Sequence, residues 1–233
     1  MVPTAEAVAE ALDAIPAEPS WAWAAQRVLP TIPGDVVRVL GDDIDLEDLG
    51  FRPLTDLPTL HVDPGVDVAF GIEADVVQVR VFQTDLDRWD MTLADVMPAA
   101  LANLRRAVGT WQGRVKDDNY EGVSVRVLED WPHWAVSLLL LPDELQRVFG
   151  ADDQLFVAPY ACNLVSLPAD VDRDIAADLV DMFGTINPRS LLRGLPAFVL
   201  RNGSLTIEEL PGWPELPEGF DDEEDADEDS DAS

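Results

Sequence analysis

Residues 76–104 read VVQVRVFQTDLDRWDMTLADVMPAALANL, and their two halves obey different periods. In the first, Val77, Val79 and Val81 alternate with Gln78 and Arg80, the two-residue period of a strand with one wet face. In the second, Leu93, Val96, Met97, Ala100, Leu101 and Leu104 recur at helical spacing. Thr92 can cap that helix, Asp95 stands at the capping-box position, and Arg105-Arg106 suit its negative end. Pro98 is discordant, because an interior proline removes a hydrogen bond. Asp85, Asp87 and Asp90 lie just ahead of the helix, where they favour its positive end.

Outward from this stretch the same alternation of element types continues. Residues 4–15 predict an amphipathic helix with Val8, Leu12 and Ile15 on one face, and Trp21–Leu29 a second helix ending before Pro30. Val36–Leu40 reads as a strand and Gly41–Gly50 as an acidic loop. Thr59–Val62, Val66–Phe70 and Val76–Phe82 read as a three-stranded meander, the first two joined by an Asp63-Pro64-Gly65 turn. Downstream, Val123–Leu128 and His133–Leu141 predict a hairpin, and Pro142–Phe149 a helix ended by Gly150. Gln154–Ala158 and Asn163–Leu167 predict strands, and Val171–Phe183 a helix, with the five aspartates of residues 170–181 outward. Ala197–Leu200 and Ser204–Ile207 flank Asn202-Gly203, a strong two-residue hairpin signal. The fold class expected is α+β, mostly antiparallel sheet with helices on one face. Residues 76–104 and 154–183 share the order strand, polar linker, acidic helix, so a divergent repeat is one reading.

The chain has 233 residues with 46 Asp+Glu against 15 Lys+Arg, a formal charge of −31. Residues 221–233, DDEEDADEDSDAS, hold nine acids and no base and predict a disordered tail. Residues 211–220, with three prolines, read as an extended connector. Residues 1–210 are the expected globular body, one unit or two subdomains at 1–90 and 91–210. Residues 1–220 alone still carry −22, and the single lysine is Lys116. A preference for Arg over Lys and Asp over Glu fits a GC-rich coding bias better than salt adaptation, given seven Trp and many large apolar residues. Such acidity argues against a nucleic-acid or anionic-membrane partner and for a basic protein. One cysteine, Cys162, and no apolar run near the roughly 20 residues of a membrane span predict a cytoplasmic protein without a leader.

Chemical motifs are sparse. Phosphate-loop, dinucleotide and G-x-S-x-G signatures are absent, and no cofactor is expected. His61, His133 and Cys162 are too few for a Cys/His zinc site, and each reads first as an ordinary surface or packed residue. Asp43 and Asp45, in an acidic loop, and Asp85 and Asp87 are the carboxylates nearest to a divalent site. The first run lacks the Gly and Glu of a calcium loop, and a solvated acidic loop is the default for both. Trp131 and Trp134 bracket a Pro-His turn, where exposed rings could anchor a partner; packing against Trp21 and Trp23 is the alternative. A non-enzymatic protein-binding or regulatory module, of which an immunity-type protein is a special case, is the function expected. A metal-dependent hydrolase or nucleotide-handling enzyme using the aspartate clusters is the competing one.

The second half is similar to an uncharacterised bacterial family typified by YtpQ. The blocks that carry the likeness are residues 76–104, WAVSLLLLPDEL (134–145), LFVAPYACNLVSLPAD (155–170) and LPAFVLRNGSLTIEEL (195–210). The first 70 residues are only loosely similar. Pro159-Tyr160-Ala161-Cys162-Asn163 stands where the family has a Pro-x-Arg-Asp type of segment, so the charged pair is replaced. The resemblance implies the same order of strands and helices and carries no catalytic or binding residue across.

Overall fold

A computed structural model describes residues 4–32, 57–74, 77–129, 132–160, 163–186 and 196–211. The Val36–Leu40 strand, the acidic loop with Asp43 and Asp45, Trp131, Cys162, the connector and the acidic tail lie outside them. The described elements are helices and antiparallel strands arranged as two sheets, the α+β class expected.

The first sheet is built on β3 (Val66–Ala74), paired antiparallel to β1 (Val28–Thr31), β2 (Leu60–Val62) and β4 (Val77–Arg80). β1 takes one edge of β3, with Leu29 opposite Gly71 and Pro30 opposite Phe70. An edge strand is where a proline, which has no N–H to donate, is tolerated. The 21–29 segment therefore splits: α2 (Trp21–Ala24) is a single turn, and Val28-Leu29 belong to the sheet. The turn between β2 and β3 forms as the sequence predicts, with Gly65 at φ +113°.

Helix α1 (Ala5–Asp13) starts at Thr4, whose hydroxyl accepts from the Ala7 amide. Among its described side chains Ala11 is buried, and Leu12, expected inward, is exposed. Asp85 and Asp87, ahead of the main helix as expected, lie in a short helix of their own, α3 (Gln83–Trp89), which Asp90 ends in the left-handed region. The long helix α4 (Leu93–Thr110) follows, closed by the reciprocal Thr92–Asp95 capping box and continuing through Pro98. It runs a turn past Arg105-Arg106. Arg106 and Asn103 instead hold the approach to β1, donating to the carbonyls of Gln26, Ala25 and Val28. Val96, Ala100, Leu104 and Val108 are the buried stripe.

The second sheet has six antiparallel strands, β5 (Val115–Tyr120), β6 (Val123–Leu128), β7 (Gln154–Tyr160), β8 (Asn163–Pro168), β9 (Ala197–Arg201) and β10 (Ser204–Glu208). Their order is β10-β9-β7-β8-β6-β5. The partner of β6 is thus not residues 133–141, as predicted, but the charged segment VKDDNY, turned by Glu121-Gly122 with both φ positive. Residues Val136–Leu140 form a 3₁₀ helix buried on nearly every side, followed by α5 (Pro142–Phe149). A short apolar run buried all round has no period to separate helix from strand.

Helices cover both faces of this sheet, not one. On the inner face Phe156, Leu164 and Phe198 join α5, the 3₁₀ helix, α4 and the first sheet in one core, which runs across the subdomain boundary read at residue 90. On the outer face Leu155, Val157, Val165 and Val199 pack under α6 (Arg173–Ile186) through Ala176, Leu179 and Val180. The two stretches read as a repeat differ: the first runs strand–helix–helix, the second hairpin–helix. No helix among the described residues is long and apolar enough to cross a membrane.

Candidate functional site

Strand pairing fixes which residues share the outer face. Lys116 stands opposite Val127 and Asp118 opposite Val125, while Val127 stands opposite Val165. Glu129, one residue past β6, and Asn163, two residues before Val165, line the same groove. Lys116, Asp118, Tyr120, Val125, Val127, Glu129 and Asn163 therefore all point to the α6 side. Helix α6 lies over β7, and its apolar cluster reaches Val125 on β6, with Tyr120, Val123 and Val127 packed against it. Beside it is a groove of about 700 Å³, floored by Val125 and Val127, walled by Leu179 and Met182, and rimmed by the polar residues.

Two ion pairs bound the groove. Lys116 Nζ lies 3.0 Å from Asp118 Oδ2, and Arg114 Nε lies 2.7 Å from Glu129 Oε2. The Asn119 amide, with Lys116, holds the Asp118 carboxyl below its ordinary pKa. The hydrogen bond to Glu129 raises that of Arg114. At the far end, loss of hydration raises the Tyr120 phenol, and the negative charges of Glu121 and Asp178 add to it, so at neutral pH it is a donor.

Asn163 is the anomaly. It is 3% exposed, and its Nδ2 has no hydrogen-bond partner, the one such buried side-chain atom among the described residues. A buried donor left without an acceptor costs about 1–3 kcal/mol. On the same strand, facing inward, Ser166 shows the usual solution: its hydroxyl donates to the Gln154 carbonyl, whose amide donates to Gly150 O at 2.9 Å.

The residues singled out in the sequence go elsewhere. Asp85 accepts from the Phe82 amide at 3.0 Å with one oxygen and meets Arg88 at 3.1 Å with the other; Asp87 accepts from Gln83. Both are engaged within α3, which accounts for them without a metal. Among the described residues, no three His, Cys, Asp or Glu side chains converge. Trp134 is not a surface anchor: it is 6% exposed in the main core, its ring 5.9 Å from that of Trp111 and edge-on to it. His61 and His133 lie beside different carboxylates, Asp67 at 3.1 Å and Glu73 at 2.9 Å.

Sequence reasoning missed Asn163, Lys116, Tyr120 and Glu129 as a group. The one local signal is a polar residue opening a strand ahead of two apolar ones, Asn163-Leu-Val. The described lining holds no His, Cys, Ser or Thr. It offers an apolar floor with donors and acceptors around it, which suits recognition. No known protein family, no curated protein and no solved structure matches the chain, so the resemblance of its second half rests on the quoted blocks alone.

Proposed function

We propose that the protein is a non-enzymatic, protein-binding module of the cytoplasm, a regulatory or immunity-type partner, whose receiving surface is the groove over β5, β6 and β8. The observation that carries this reading is the unpaired Asn163 amide on the wall of a groove that α6 leaves open. The partner is basic. A chain of formal charge −31 raises the encounter rate with a cationic surface and repels phosphate backbones and anionic lipid.

The test is affinity capture at low salt with the full chain and with a Val127→Trp chain, whose indole fills the groove. A partner held by the first, released by about 0.5 M salt and not held by the second is the result expected. A captured set identical for both chains overturns the groove as the receiving surface. A set that salt does not release overturns the basic partner.

A further inference from the structure

The groove has a direction as well as a volume. Val125, Val127 and Glu129 follow one another on a single face of β6 at the two-residue repeat of a strand, roughly 7 Å. That is also the spacing of same-side side chains in an extended peptide. The volume, about 700 Å³, matches a few residues rather than a folded domain. The unpaired Nδ2 of Asn163 requires an acceptor, and a main-chain carbonyl is one.

Charge decides between ligands that carry such an oxygen. Around the groove stand the cations Lys116 and Arg114, each already paired, and the carboxylates Asp118, Glu129, Glu121 and Asp178. The excess is negative, so a free carboxylate or phosphate is disfavoured and a cationic side chain favoured.

We infer that the groove takes an extended peptide segment with an apolar side chain over Val125 and Val127, a basic one beside Glu129, and a main-chain carbonyl accepting from Asn163 Nδ2. This rests on the binding function proposed above and names the form in which the partner enters the groove.

The experiment is an NMR titration of the full chain with acetyl-leucyl-alanyl-arginine amide. Acetyl-leucyl-alanyl-glutamate amide and N-butylacetamide serve as comparisons. The arginyl peptide is expected to shift the Asn163 side-chain amide downfield and to move the Val125 and Val127 methyls, saturably, at about 1 mM. The glutamyl peptide and the small amide are expected to bind about tenfold more weakly. Asn163→Ala is expected to lower affinity about tenfold. Glu129→Gln, on the exposed rim, is expected to abolish the preference for arginine and tests the inference even if Asn163→Ala fails to fold. No saturable shift in the groove, or an equal response to the glutamyl peptide or to the small amide, overturns the inference. A basic partner that is captured under the preceding test, while the arginyl peptide leaves the groove resonances unmoved, refutes the peptide and leaves the binding function standing. A peptide that saturates the groove with no partner captured does the reverse.

Discussion

The two faces of the six-stranded sheet carry the same kinds of residue and have opposite fates. On the inner face Phe156 meets Phe149 edge-on at 5.2 Å, and the buried polar pair Gln154 and Ser166 satisfy one another. Three further elements close over them. On the outer face α6 packs over β7 and reaches Val125 on β6, a groove stays open beside it, and the buried polar residue Asn163 at its wall is unpaired. A polar group sealed in a core must find its partner within the chain. One left unsatisfied at the wall of a groove destabilises the fold and offers its hydrogen bond to something else. The inner face is built for stability, and the proposed binding site lies on the outer one.

Substitutions can break this contrast. The largest effect belongs to the inner face: Phe156→Ala removes a fully buried ring and should cost about 3–5 kcal/mol in urea unfolding. Ser166→Ala leaves the Gln154 carbonyl without its donor and should cost about 1–3 kcal/mol by the same measurement. Thr92→Ala, which removes the cap of the helix closing the inner face, should cost about 1 kcal/mol.

Acid probes the outer face. The hydrogen bond from Arg173 at 2.6 Å, which ties the start of α6 to β10, lowers the Glu208 pKa, with burial opposing. The folded value therefore lies below the unfolded one. Stability from this pair is complete above the ordinary carboxylate pKa and is lost as pH falls through the folded value. Thermal unfolding scanned downward from about pH 5 should show a decline that Arg173→Met flattens. An unchanged slope would mean that the pair does not anchor α6.

Elements with a strong local code were legible: the Thr92 cap and the stripe of α4, Pro142 and Gly150 around α5, and Asn202-Gly203 between β9 and β10. Strand β5 was not, because VKDDNY is an exposed edge strand whose charges guard its unpaired backbone and erase the alternation that marks a strand. The 3₁₀ helix at Val136–Leu140 was hidden for the opposite reason, being apolar at nearly every position. The groove was out of reach from local pattern altogether. Asn163 and Glu129 line one groove only because β6 pairs with β8 across the intervening 3₁₀ helix, α5 and β7. The aspartates and tryptophans that stood out by composition proved to be helix caps and core, in the case of Asp85 and Trp134.

The central claim, that Asn163 is kept for a ligand and not for the fold, is tested most directly by urea unfolding of Asn163→Leu beside Ser166→Ala. The account expects the Asn163→Leu midpoint to equal or exceed that of the parent chain, since an unpaired buried amide gives way to an apolar group of similar size. A loss of about 1–3 kcal/mol, matching that of Ser166→Ala, would show that the Asn163 amide serves the folded chain and would contradict the account.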